Sequence, residues 1–96
     1  MQFLVLASDG TDVEAPMRRL KVRAAHLANM ARLKKAGRYL IGGPILDDQE
    51  KMVGSAMILD FPDRDALYAT LAEDPYITEK VWHSIEVKNF RVAPLD

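Results

Sequence analysis

Apolar and polar positions follow two rhythms along this chain. Phe3-Leu4-Val5-Leu6-Ala7 is a short apolar run closed by Ser8-Asp9-Gly10, which predicts a buried strand and a turn. Asp12 or Glu14, followed by Pro16, supplies helix-start chemistry: a carboxylate suits the positive end of the helix dipole, and proline suits a first turn whose N–H has no partner. From Ala15 to Ala36 the rhythm is helical. Met17, Leu20, Ala24, Leu27 and Ala31 step by threes and fours, and this stripe reads as the buried face. Lys34-Lys35 and then Gly37 mark the stop.

Arg38-Tyr39-Leu40-Ile41 reads as a strand running into Gly42-Gly43-Pro44, and Asp47 to Lys51 as an exposed turn. Met52 to Phe61 is a second strand of this hairpin, with Gly54-Ser55-Ala56 as small residues in its first half. Glycine inside a strand marks a bulge or a close approach by backbone or ligand. Pro62 and Asp63 open a shorter helix through Ala66, Leu67 and Leu71, which Asp74-Pro75-Tyr76 ends, because the residue before proline is pushed out of the helical region. Trp82 to Val92 forms the last strand. The order is β-α-β-β-α-β, an α+β ferredoxin-like pattern with both helices on one face of a four-stranded antiparallel sheet. No third layer remains for the opposite sheet face, made by Val53, Met57 and Leu59 or by the alternates between them. A homodimer that stacks two sheet faces is the expected remedy, with an assembly of such dimers left open.

The chain has 96 residues, the length of one domain, expected to run from 1 to 96. Thirteen Lys+Arg against fourteen Asp+Glu leave a formal charge of −1, which provides no basic footprint for nucleic acid. The absence of cysteine excludes disulfides, thiolate metal sites and a Cys nucleophile. No run approaches about 18 apolar residues, so no membrane span is expected. Met1-Gln2 enters the first strand without a basic leader-like segment, and the expected location is the cytoplasm.

Only two histidines are present, and each can be weighed. His26 falls roughly 130° from the middle of the Leu20–Leu27 stripe, off the main buried face, with Arg23 one turn earlier on nearly the same side. It is either a boundary histidine satisfied by water or backbone, or a ring aimed into a cleft. Asp74 is either punctuation after a helix or a partner for His26. An aspartate beside a histidine would hold one ring tautomer and prime the other nitrogen to move a proton. Gly42-Gly43-Pro44 and Gly54-Ser55 read first as tight packing, and second as room for a ligand to which Ser55 donates a hydrogen bond. They form neither a dinucleotide fingerprint nor a P-loop. His83 reads as surface. No ligand spacing supports a metal, and no nucleophile elbow surrounds Ser55.

Taken together, Arg23-x-x-His26, Gly43-Pro44, Gly54-Ser55, Asp74-Pro75-Tyr76 and the ending Ser84-Ile85-Glu86-Val87-x-x-Phe90-Arg91-Val92 resemble the YCII-related (YciI-like) family over nearly the whole chain. The resemblance implies a dimeric α+β barrel, similar in fold to muconolactone isomerases, with a His–Asp active-site pair that carries over to His26 and Asp74. One branch of the family is associated with dehydrochlorination of a chlorinated hydroxyquinol. The chain departs from the commoner pattern at Glu79-Lys80 and Trp82-His83, so the resemblance implies a type of chemistry and not a substrate.

The expected function is a cofactor-independent small-molecule enzyme. In it His26 moves a proton, Asp74 orients His26, Arg23 pairs with an anionic substrate oxygen, and Ser55, Tyr76, Gly43 and Pro44 contribute the pocket wall. The alternative is a non-catalytic ligand-binding or accessory dimeric module in which His26 and Asp74 are a structural pair.

Overall fold

A computed structural model describes residues 1–95. The elements are β1 (Gln2–Asp9), α1 (Ala15–Lys35), β2 (Tyr39–Leu46), β3 (Met52–Asp60), α2 (Arg64–Leu71), α3 (Pro75–Thr78) and β4 (Trp82–Phe90). The four strands form one antiparallel sheet in the order β2-β3-β1-β4, so the expected α+β architecture holds.

Alternation along the central strands assigns the two faces. Phe3, Val5 and Ala7 of β1 pack with Met57 and Leu59 of β3 against Met30 and Leu33 of α1, Leu67 and Leu71 of α2 and Tyr76 of α3. Of the two alternating sets expected for the outer face, the structure selects the alternates of Met57 and Leu59. Ala56 and Ile58 lie on the far face, paired with Leu6 and Leu4, while Met57 and Leu59 are buried beneath the helices. Leu4, Leu6, Ile41, Ile45, Ala56 and Ile58 make this outer face apolar across β1, β2 and β3. It turns polar at β4, where Glu86 and Lys88 pair with Leu6 and Leu4.

Four local features differ from the sequence expectations. The Met17–Leu20–Leu27 stripe is not the buried face: these side chains are 68, 58 and 47% exposed, whereas His26, read as lying off the buried face, is 6% exposed. Arg19, His26, Asn29, Met30 and Leu33 form the inward face instead, since the polar members find buried partners on other elements. Secondly, β2 runs through Gly42-Gly43-Pro44 to Leu46. As an edge strand it tolerates proline, because one side of its backbone has no strand to bond.

Thirdly, Asp74-Pro75 does more than end α2, whose last helical residue is Leu71. It starts α3, with the Asp74 carboxylate accepting from the Tyr76 N–H and Pro75 in the first turn. Finally, neither Asp12 nor Glu14 caps α1 with its side chain. Asp12 is instead held by both Arg18 guanidinium nitrogens at 2.7 Å, and this pairing brings its carboxyl down to about 2. The stop of α1 is as expected, with Gly37 at φ +77°, where a side chain would be strained. Among the described residues no helix is long and apolar enough to cross a membrane.

Candidate active site

Two buried polar clusters meet between α1 and the sheet. The first is centred on Asp74, which is fully buried at the start of α3. Its Oδ2 accepts from His26 Nδ1 at 2.8 Å and from the Tyr76 backbone N–H at 2.9 Å, and its Oδ1 accepts from Asn29 Nδ2 at 2.7 Å. Asn29 is fixed in turn by Arg32, which donates to its Oδ1. A carboxylate can only accept, so the hydrogen between imidazole and carboxylate sits on His26 Nδ1, and Nε2 is left as the nitrogen free to exchange a proton. The imidazole lies flat on the Tyr76 ring, with centroids 3.8 Å apart and planes 8° from parallel, and the Trp82 indole closes edge-on at 5.6 Å.

The second cluster is built on Arg19, one of the residues that sequence reading passed over. Its Nη1 lies 2.9 and 3.0 Å from the two oxygens of Asp9, and both side chains are buried. Its Nη2 donates to Ser55 Oγ at 3.0 Å, and Trp82 Nε1 donates to the same oxygen at 3.2 Å. The guanidinium carbon stands 4.8 Å from the Tyr76 ring centre, which joins the two clusters through one aromatic ring. Because Ser55 Oγ already accepts twice, its own hydrogen must go elsewhere. Among the described residues no protein group takes it.

Both clusters open on a cavity of about 190 Å³ between the inward face of α1 and strands β2 and β3, with Arg23, His26, Tyr39, Pro44, Ser55 and Tyr76 among its lining. The six residues that sequence reading assigned to a pocket around His26, namely Arg23, Gly43, Pro44, Ser55, Tyr76 and His26 itself, all border this space. Asp74 does not; it stands behind the imidazole. Gly43 brings only backbone, since a Cβ there would meet open space, while a Cβ at Gly54 would collide with the Ala7 carbonyl oxygen. Gly54 therefore serves close strand packing and Gly43 does not. Tyr39 was missed because it stands in an ordinary strand run; Asp9, Arg19, Asn29 and Trp82 were missed because nothing local marks them as partners.

The electrostatics favour an anionic guest. Arg19 is balanced by Asp9 and His26 faces Asp74, whereas Arg23, half-buried at the cavity wall, is paired with no carboxylate among the described residues. Burial pushes the phenols of Tyr39 and Tyr76 above the usual tyrosine value, an effect that Arg19 and Arg23 partly oppose at Tyr76, so both stay protonated at neutral pH. No group of three or more metal-ligating side chains occurs among the described residues.

Comparison with known proteins bears on the family and the fold. The model of the YCII-related domain matches residues 1–91. Protein YciI of Escherichia coli is 33% identical over 97 residues, covering 95% of this chain and 97% of that one. Aspercryptin biosynthesis cluster protein B of Emericella nidulans is 31% identical, covering 97% of this chain and 61% of that protein. Among solved structures, the 5-chloro-2-hydroxyhydroquinone dehydrochlorinase TftG of Burkholderia phenoliruptrix, in complex with 2,5-dihydroxybenzoquinone, superposes with a TM-score of 0.85 at 26% identity, covering 97% of this chain and 96% of that one. Muconolactone isomerase shares the fold, with a TM-score of 0.70 at 21% identity and coverage of 100% and 94%. A match over nearly the whole chain, in both sequence and fold, makes this protein a member of the YCII-related family.

Proposed function

We propose that this chain is a cofactor-independent enzyme that moves a proton on a small, oxygenated, anionic ring compound, with isomerisation or elimination of a leaving group such as chloride as the outcome. The observation that carries the reading is the 2.8 Å contact between Asp74 and His26 Nδ1, which leaves Nε2 for a ligand in the cavity that His26 lines. His26 is the general base and then the acid, Asp74 orients it, and Arg23 pairs with an anionic oxygen. Ser55 donates its unclaimed hydrogen to a second oxygen, and the Gly43-Pro44 backbone and Tyr76 complete the wall.

In an elimination the proton passes to His26 Nε2, its bonding pair becomes a new π bond, and the leaving group departs with its own pair. In an isomerisation the same proton returns at another carbon. Each step is redox-neutral, the leaving group's pair departing with it as an anion, so the balance needs no redox partner. The cavity also suits a single ring: an apolar cavity of about 150 Å³ holds benzene, and this one measures about 190 Å³. The likeness to TftG, whose structure holds a dihydroxyquinone, points to the same ligand class. We further propose that the apolar outer sheet face is covered by a second copy of the chain.

The test is turnover of chlorinated hydroxyquinols and unsaturated lactones by wild type and His26→Ala. Acid–base help from one positioned group is worth about 10²–10⁴ in rate. The variant is expected to lose that much when both chains are assayed at a temperature where circular dichroism shows them folded, since the lost contact to Asp74 also lowers the melting temperature. A variant as active as wild type would remove His26 from the chemistry. Ligand binding without turnover in the wild type would favour the binding-module alternative.

A further inference from the structure

Residues 39 and 42 would point to opposite sides of a regular strand, since side chains alternate with a period of two. Here they do not. Tyr39 pairs with Leu59 and Gly42 with Met57, both on the helix-facing side of β3, because the register of β2 shifts between Tyr39 and Ile41. Such a bulge re-aims a side chain, and bulges gather beside functional sites. This one folds the Tyr39 ring along its own strand until its hydroxyl lies over Gly42. A Cβ built on Gly42 would stand 2.5 Å from Tyr39 Oη, as well as 2.7 Å from the Ala56 carbonyl oxygen and 2.9 Å from Met57 Cγ. Tyr39 and Gly42 border the same cavity as His26 and Ser55. Among the described residues the Tyr39 hydroxyl has no hydrogen-bond partner, so its donor is unspent.

We infer that the Tyr39 hydroxyl, aimed by the bulge and admitted by Gly42, is a specificity-determining donor that contacts an oxygen of the bound ring. The inference rests on the ligand class proposed above and adds a second donor on the sheet side of the cavity. Ser55 Oγ–H and Tyr39 Oη–H are carried by adjacent strands, and a ring with two separate oxygens can satisfy both at once. A ring bearing one oxygen leaves one donor dry in a buried site. Selection for doubly oxygenated rings follows from that unmet hydrogen bond, since burying a polar group without its partner is costly. Burial keeps the phenol protonated, which suits donation.

The experiment is calorimetric titration of 2,5-dihydroxybenzoquinone into wild type, Tyr39→Phe and Arg23→Ala, with a melting curve for each. Phenylalanine keeps the ring and its packing and removes only the hydroxyl. A hydrogen bond to a charged oxygen corresponds to a change in Kd of about tenfold or more, so Tyr39→Phe is expected to weaken binding by that factor with an unchanged melting temperature. Unchanged affinity in Tyr39→Phe alongside weakened binding in Arg23→Ala would overturn the role of Tyr39 and leave the site reading standing. A wild type that takes up no quinone would overturn the proposed ligand class, and this inference with it.

Discussion

Asn29 Nδ2 donates to Asp74 Oδ1 at 2.7 Å, on the carboxylate oxygen that His26 leaves unused. The two donors come from the same face of α1, nearly one turn apart, and grip a carboxylate that is fully buried at the opposite wall. This contact ties α1 to α3 and fixes the orientation of the aspartate, and through it the orientation of the imidazole.

Removing the acceptor should therefore be far costlier than removing one donor. Asp74→Ala strands His26 Nδ1, Asn29 Nδ2 and the Tyr76 N–H at once, and each buried donor left without a partner costs about 1–3 kcal/mol. Asn29→Ala deletes one hydrogen bond to the Asp74 carboxylate, worth about 1.5–3 kcal/mol, together with the contact from Arg32, whose part-buried guanidinium can turn to water. Urea denaturation of both variants checks the order. Equal losses would mean that the network is not centred on Asp74.

Arg19 and Asp9 form a second buried pair with the same logic. Arg19→Met leaves a buried carboxylate uncompensated and should cost about 3–5 kcal/mol, whereas the double replacement Arg19→Met with Asp9→Leu should recover much of that loss. A double-mutant cycle measures the coupling directly. Since Arg19 also holds Ser55 Oγ, both variants should bind a ring ligand more weakly, whatever their stability.

Alkaline pH should loosen the fold through its buried phenols. Tyr39 and Tyr76 are raised above the usual value of 10 chiefly by burial, so near and above pH 10 the folded chain holds more protons than the unfolded one. The sign follows: stability is full below the unfolded value and falls as pH rises towards the folded values. Melting curves across this range should slope downward, and Tyr39→Phe or Tyr76→Phe should each flatten part of the slope. A slope unchanged in both variants would assign the loss to other groups.

The outer sheet face offers a test of assembly. Leu4 and Ile58 are cross-strand neighbours near the centre of its apolar portion. Ile58→Lys places a charge where two stacked faces would meet, and an uncompensated charge in an interface opposes association. Light scattering should show wild type at twice the chain mass and Ile58→Lys at the monomer mass. A wild-type monomer would sink the sheet-stacked dimer.

Local pattern by itself determined the order of the four strands and of α1 and α2, and passed over only the single turn of α3. Short apolar runs closed by turn residues predicted the strands, the Lys34-Lys35-Gly37 stop ended α1 where the backbone turns, and a short polar connection predicted the β2–β3 hairpin. The resemblance carried by Arg23-x-x-His26 and Asp74-Pro75-Tyr76 also singled out the pair that meets at 2.8 Å. The inward face of α1 was decided only by tertiary structure. Counting apolar side chains chose Met17, Leu20 and Leu27, yet Arg19, His26 and Asn29 turn inward. Burying a polar group is costly only when it lacks a partner, and the partners Asp9, Ser55 and Asp74 come from other elements, up to 48 residues away. Likewise the bulge in β2 that brings Tyr39 to the cavity depends on its pairing with β3, and no run of residues announces such a register shift. Periodicity reports what each element could bury; which face it does bury is settled by whether its polar groups find partners across the fold.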